Sequence, residues 1–496
     1  TSIKIDKTGP VIEKAEPVIT SREEARAKIK ATDKGSGLKG YYISTEQTAP
    51  TESSNWTQQT MNEFMIENLS TNTTYYLWTI DNVGNISEMQ EIEIGIVNYS
   101  VDDTIVTETI AEAITAASNG STIKLLGDYT DTSTATFSKN VTFDIQNYTL
   151  IRNSTITINS GKTVEITRTG KITTETNKVD TITNNGILTI NNQVTIENMS
   201  TSSSYAPIRN NSSSAITNIE DNVQIIGYYR GIYNYYGTLN VNGGKIEATY
   251  SSSSAYGIYN YSRSTVKLNM TTGEVKGYYG IYNGSSAALE MTGGKVIGTG
   301  AYGINALGTT NIYGGRIEGK TYGVYSNSSD KVTIGREEEE LNTTNPAIYG
   351  ASYGIYMNNE THGFNFYNGV IISNTKETAY RGVLNPITGH MPYTYFDYDT
   401  EQKYCTILTP TVANITMKTT PTEYTNGDVT VTITYPYVNN TRQYSEDGIT
   451  WKDTEEYIQE VIVTENKTIY ARTMNELGRI TDENQIEITN IDKVKP

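Results

Sequence analysis

Between about residues 228 and 373 one short pattern recurs with variable spacing, and it leaves the chain few ways to fold. One half of it reads GIYN at Gly231, Gly257 and Gly280, GINA at Gly303, GVYS at Gly323 and GIYM at Gly354. The other half reads LNVNGGKIE from Leu239, LNMTTGEVK from Leu268, LEMTGGKVI from Leu289 and TNIYGGRIE from Thr310. Weaker copies are VTIG from Val332 and FNFYNGVI from Phe364. A unit of about 20 to 32 residues with two or three short strands cannot bury its own apolar face. Stacked on its neighbours it can, and the stacking makes equivalent strands parallel around one continuous core.

Strand alternation assigns the inward columns. Leu239, Leu268 and Leu289 form one. Val241, Met270, Met291, Ile312 and Phe366 form a second, and Ile246, Val275, Val296 and Ile317 a third. Ile232, Ile258, Ile281, Ile304, Val324 and Ile355 form the fourth. Four inward aliphatic rows, with glycine pairs at the corners, predict a parallel β-helix. Less regular copies extend it upstream: VTFDIQNYTL, STITINSGKTVEITRTGKITT, GILTINNQVTIEN and AITNIEDNVQIIG. Before these, Ile110, Ala113, Ile114 and Ala117 follow helical spacing and Asn119-Gly120 is a stop, so a short helix over 107–118 is expected to cover the first coil. About ten to twelve coils at roughly 4.8 Å would make a rod on the order of 50 Å long.

The run ETIAEAITAASNGSTIKLLGD resembles the entry segment of pectate-lyase-like right-handed parallel β-helices in bacterial surface proteins, and the NGGKIE/GIYN coils are similar to that family's repeats. The resemblance covers roughly residues 98–408. It implies a right-handed helix, and its specificity lies in the fold rather than in any activity.

Residues 1–97 and 409–496 share a different pattern. NTTYYLWTIDNVGN at 72–85 aligns without gaps on NKTIYARTMNELGR at 466–479, and YYIS with Trp56 parallels QYS with Trp451. Two copies of an alternating strand pattern of about 90 residues read as β-sandwiches. The turns DKTGP, DKGSG and DNVGN look like those of bacterial immunoglobulin-like domains, which occur in tandem as spacers on cell-wall proteins. The expected organisation is therefore all-β: an immunoglobulin-like β-sandwich over 1–97, a right-handed parallel β-helix over 98–408, and a second sandwich over 409–496. IDKTGP near the start is echoed by IDKVKP at the finish, so the chain reads as a segment of a longer tandem array. Its first residues carry no charged region followed by an apolar core, and no apolar run approaches the roughly 20 residues that span a bilayer.

The composition narrows the function classes. The net charge is −17 and no basic block is visible, which argues against nucleic acid and anionic membranes as partners. One cysteine, Cys405, excludes an intrachain disulfide and suits either a cytosolic protein or a Gram-positive surface protein. Enzymes of this shape use outward carboxylates with an Arg or Lys, or paired aspartates. No aspartate occurs from 222 to 329. Of the glutamates there, Glu247 and Glu274 fall into columns with lysines, so Lys245–Glu274–Lys295 and Glu247–Lys276 are expected as opposite-charge ladders. The upstream Asp144, Asp180, Asp221, Arg152, Arg168 and Arg209 are the remaining place for a catalytic cluster. No catalytic residue is assigned.

Tyrosine is the unusual residue, at 39 positions. Tyr233, Tyr259, Tyr282, Tyr325 and Tyr356 occupy one column, interrupted by Asn305, on the face opposite the isoleucine row. They are the candidate binding residues, as an aromatic strip for sugar rings or a protein partner; the competing reading is tyrosine stacked on tyrosine between coils. A second set, Tyr256, Tyr279, Tyr302, Tyr322 and Tyr353, precedes each glycine, with its facing undecided between interior and corner. Asn234, Asn260 and Asn283 are expected to bond coil to coil. His362 and His390 lie apart and form no zinc pattern. Cys405 reads as a buried thiol in the closing strand YCTIL, and the run Glu337 to Glu340 as a solvated loop. Asp33 and Asp81 sit in turns that Asp favours on its own account, with calcium as the other reading of those carboxylates; no cofactor and no other metal are expected. The functional expectation is a non-catalytic, extracellular, wall-associated adhesin or stalk segment whose β-helix meets a host or microbial glycan or a surface protein. A polysaccharide lyase or glycoside hydrolase is the competing class, and a filament subunit the third.

Overall fold

The computed structural model describes residues 5–19, 21–174, 178–337, 342–374, 378–385, 390–397, 405–436, 440–475 and 478–493; at 390, 392–397 and 405 it describes the backbone alone. The side chains of His390 and Cys405, and the residues Glu338 to Glu340, therefore lie outside the described residues. The chain divides into two compact units, Thr1–Tyr228 and Tyr229–Pro496.

The first unit opens with seven antiparallel strands in two sheets. Val11–Ile19, Glu24–Thr32 and Glu63–Ser70 form one sheet. Thr57–Gln58, Leu38–Ser44, Thr73–Asp81 and Gln90–Ile94 form the other, in that spatial order. Glu24–Thr32 alternates exposed and buried residues, which sends Ala25, Ala27, Ile29 and Ala31 into a core shared with Phe64, Ile66, Leu77, Ile92 and Ile94.

Three parallel sheets follow, each coil giving one strand to each sheet. In this unit the first sheet runs through Thr122–Leu125, Val141–Asp144, Thr163–Thr167, Ile187–Ile190 and Ile216–Ile219. The irregular upstream copies thus form coils as expected. The helix is shorter than its apolar spacing suggested, Ile110–Ala116 rather than 107–118. Thr109 and Glu112 close a capping box that stops it on one side, and Ala117 leaves helical geometry on the other. Ile110, Ala113 and Ile114 are its buried face.

The second unit holds the regular coils. Lys267–Met270 lies parallel to Ala288–Met291, Glu274–Gly277 to Lys295–Gly298, and Tyr256–Asn260 to Tyr279–Asn283. The inward columns have the register read from the repeat: Leu268 faces Leu289, Met270 faces Met291, Val275 faces Val296, and Ile258 faces Ile281, which faces Ile304. All six members of the isoleucine column are fully buried. Thr310 takes the leucine position in its coil; it stays buried because its hydroxyl accepts from the Asn283 amide at 3.0 Å. The corner of each coil needs a glycine: Gly273, Gly294 and Gly315 have φ of +86°, +83° and +91°, where a side chain would be strained. Val370–Ser373, the last of its parallel sheet, pairs antiparallel with Cys405–Val412, which pairs with His390–Asp397.

This unit ends in seven further antiparallel strands. Thr416–Thr420, Val429–Thr434 and Ile458–Val463 form one sheet; Lys452–Thr454, Thr441–Ser445, Thr468–Met474 and Ile480–Glu487 form the other. In both flanking regions the first, second and fifth strands make the smaller sheet, and the fourth, third, sixth and seventh the larger. The segments that align in sequence, Thr73–Asp81 and Thr468–Met474, are the sixth strand of each. Taken together, the fold is all-β, with about eleven turns of parallel solenoid between antiparallel sheets at both ends of the chain.

Candidate functional site: a double column of tyrosines

The sheet built from Arg230–Asn234, Tyr256–Asn260, Tyr279–Asn283, Tyr302–Ala306, Tyr322–Ser326, Tyr353–Met357 and Tyr380–Arg381 carries every tyrosine singled out by the repeat. Its strands break simple alternation. In Tyr256–Asn260, Gly257 and Ile258 are both buried, so Tyr256 and Tyr259 both remain on the outer surface; the same burial pattern recurs in the next four strands, with Asn305 in the place of the second tyrosine in one of them. Glycine makes this local geometry: a Cβ on Gly280 would lie 2.5 Å from the Gly303 carbonyl oxygen and 2.5 Å from Val296. The residues before the glycines, whose facing the repeat left open, therefore join the outer face as a second tyrosine column. Period-two reasoning missed this, although the recurring tyrosine directly before the glycine, at 256, 279, 302, 322 and 353, held the signal.

The two columns interlock by ring contact. Tyr259 stacks on Tyr282 with centroids 4.6 Å apart and planes 7° from parallel. Where Asn305 interrupts the first column, Tyr325 reaches across to Tyr302, at 4.6 Å and 7°. Tyr322 stacks on Tyr356 at 4.2 Å and 7°, and Tyr256 on Tyr279 at 5.2 Å. The rings turn many of their faces toward one another. Tyr233, expected to face water, is 8% exposed. Tyr235 and Tyr259 pack on it at 5.3 and 5.4 Å, and the Arg230 guanidinium lies 4.3 Å from its ring centre. Tyr259, Tyr282, Tyr325 and Tyr356 are half-buried.

An arginine stands in register at either end of the strip. Arg230 pairs with Tyr256 at the start of one column, and Arg381 with Tyr356 at the finish of the other. Arg381 is held by Glu360 at 3.2 Å and donates to the carbonyls of Met357 and Asn358 at 2.8 Å. The strands of the strip contain no carboxylate. Burial pushes the phenols of Tyr256 and Tyr302 up to about 12, with neighbouring phenols adding to the shift. Both of these phenols therefore stay uncharged over the whole physiological range.

Beneath it runs the asparagine ladder. Asn234 Nδ2 donates to Asn260 Oδ1 at 2.7 Å, and Asn260 Nδ2 to Asn283 Oδ1 at 2.7 Å, all three residues fully buried. The first unit repeats the device between Asn184 and Asn210 at 3.2 Å. The charge ladder on the neighbouring sheet differs in part from its expectation. Lys245–Glu274 closes at 3.6 Å and Lys276–Glu247 at 2.8 Å. Lys295, though opposite Glu274 in register, makes its ion pair with Glu318 at 3.3 Å. Glu318 sits beside both Lys295 and Arg316 and is the stronger anchor.

The upstream charges pair off separately. Arg209 binds Asp180 at 2.6 Å and Arg168 binds Asp144 at 2.9 Å. Arg152 is fully buried against Asp131 at 3.0 Å, a partner the repeat gave no reason to pick. Asp131 also accepts from the Tyr99 hydroxyl at 2.9 Å and from the Ile110 amide at the start of the helix at 2.7 Å. In the N-terminal sheets Asp33 and Asp81 meet Asp6, which sequence reasoning had not named, with one oxygen from each within 4.8 Å of the others. Each carboxylate also closes a turn: Asp6 accepts from the Thr8 and Ser36 amides, Asp33 from Gly35 and Gly37, Asp81 from Val83 and Asn85. Among the described residues no other group of three His, Cys, Asp or Glu comes together, and no helix is long and apolar enough to cross a membrane.

Compared with known proteins, the chain matches no family model, no curated sequence and no solved structure, so its chemistry rests on the geometry above.

Proposed function

We propose that this chain is a non-catalytic segment of a bacterial surface protein, an adhesin or stalk, in which a right-handed β-helix between immunoglobulin-like sandwiches presents the tyrosine strip to a glycan or protein. The observation that carries this reading is the double column itself: a long aromatic surface whose strands hold no carboxylate, on a chain whose net charge is −17. Such faces mark contact sites because tyrosine offers apolar area and a hydroxyl together. Stacking covers many ring faces, so the contact would use edges and hydroxyls more than flat sugar stacking. The pairing of Arg209 with Asp180, Arg168 with Asp144 and buried Arg152 with Asp131 supports the non-catalytic reading, since these charges already serve one another. The low cysteine content and the duplicated strand order of the flanking sheets support an extracellular tandem array, with neither nucleic acid nor membrane as partner.

The test is a glycan array, including mucin and wall glycans, run with the wild-type chain and a Tyr259→Ala, Tyr282→Ala variant. Binding that falls at least tenfold in the variant supports the strip, and unchanged binding removes it. A release assay on pectin, alginate and glycosaminoglycans runs beside it, and sugar release would replace this reading with an enzymatic one.

A further inference from the structure

We propose that the stacked tyrosine pairs Tyr259–Tyr282 and Tyr322–Tyr356 are sites of oxidative cross-linking, joining consecutive coils through dityrosine bonds when a one-electron oxidant is present. In each pair the rings are 7° from parallel, at 4.6 and 4.2 Å. Tyr259 and Tyr282 are also register partners on adjacent parallel strands, and Tyr322 and Tyr356 lie on adjacent parallel strands, in register with Tyr353 and Tyr325 respectively. Stacked rings that leave the same outer face of parallel strands extend in the same general direction. That arrangement brings the ortho edge of one phenol to within stacking distance of the other ring. The ortho carbon is where a phenoxyl radical carries unpaired spin, so stacking holds the reacting rings together and leaves little orientation to be found.

The chemistry balances with a peroxide acting through a haem peroxidase. Each phenol gives one electron to the oxidant and its hydroxyl proton to water. The two phenoxyl radicals form one carbon–carbon bond between ortho carbons. The hydrogen on each of those carbons then moves to the oxygen, which restores both hydroxyls. Two electrons and two protons leave in all, and they reduce one hydrogen peroxide to two waters.

Two further features favour the strip over other positions. Its tyrosines are half-buried, so an oxidant reaches them while their neighbours hold the pairs in place. The chain has a single cysteine, so no intrachain disulfide can staple the coils. A link between coils would close a loop in the unfolded chain and raise stability by the same logic as a disulfide. This inference depends on ring geometry and not on what the strip binds.

The experiment treats the full chain, at a dilution that suppresses contact between molecules, with haem peroxidase and hydrogen peroxide, then maps linked peptides by mass spectrometry. The expected products are monomeric on a denaturing gel and contain peptide pairs two hydrogens lighter than their sum, joining Tyr259 to Tyr282 and Tyr322 to Tyr356. Tyr282→Phe keeps a ring in the stack but removes a phenol, and should abolish the first link while leaving the second. Unfolding the chain in guanidinium before oxidation should abolish both. The proposal is overturned if links form only between chains, if they fall outside the strip, if tyrosines oxidise without linking, or if Tyr282→Phe or prior unfolding leaves the yield of the first link unchanged.

Discussion

Asn260 donates its side-chain amide to Asn283 at 2.7 Å in a wall of the solenoid where neither side chain reaches water. The bond satisfies groups that would otherwise be desolvated without a partner, so the ladder specifies register as well as contributing stability. Asn260→Ala should lower unfolding free energy by about 1–3 kcal/mol. Asn260→Asp should cost more, because it sets a second acceptor against Asn283 and buries a charge. Denaturant titration of the three proteins checks the order; an aspartate variant as stable as wild type would contradict it.

Ile281 touches the next coil on either side in the fully buried isoleucine column. Truncation to alanine leaves a cavity that stacked β-strands cannot collapse to fill, and should destabilise by about 2–5 kcal/mol. The same change at exposed Ile449 should stay within about 0.5 kcal/mol. Comparable losses at both positions would mean that the inward column has been misplaced.

Gly280 is the residue that lets its strand carry two outward tyrosines. Gly280→Ala places a methyl against the Gly303 carbonyl and Val296, and overpacking of this kind costs about 1–3 kcal/mol. Near-ultraviolet circular dichroism, which reports tyrosine environment, should change together with stability. A variant with wild-type spectrum and stability would refute the close approach.

The phenols of Tyr256 and Tyr302 are pushed up to about 12 in the folded protein, against about 10 for an open tyrosine. A proton held more tightly in the folded state stabilises fully below pH 10. That contribution is lost as pH rises from 10 through 12. The denaturation midpoint should therefore fall across this window, and less steeply in Tyr256→Phe. Identical slopes for the two proteins would show that Tyr256 titrates as an open phenol.

Arg152 and Asp131 are an ion pair with both side chains fully or almost fully buried. Arg152→Ala strands the carboxylate that also holds Tyr99 and the first helical amide, and should cost about 3–5 kcal/mol. Arg152→Met, which removes the charge but keeps the volume, still leaves Asp131 unpaired; only the double change with Asp131→Leu should recover part of the loss. A thermal melt of the three variants measures this, and full stability in Arg152→Ala would rule the network out as an anchor for the helix.

The sequence by itself determined the solenoid. A repeat of like residues at like positions has one way to bury its apolar rows, so Leu268 over Leu289 and Ile258 over Ile281 could be read off directly, as could the Asn234, Asn260 and Asn283 ladder. Tertiary structure decided what depends on how far side chains reach and where the backbone departs from period two. The glycine in each Tyr-Gly-Ile-Tyr run turned one tyrosine column into two, and Tyr325 bridged the gap at Asn305. Lys295 chose Glu318 over Glu274, and Asp131 became the partner of Arg152. Asp6 joined Asp33 and Asp81 across turns distant in sequence. Periodicity fixes which residues share a column because the backbone repeats; it carries no information on diagonal reach or on pairing between columns, which only the packed coils supply.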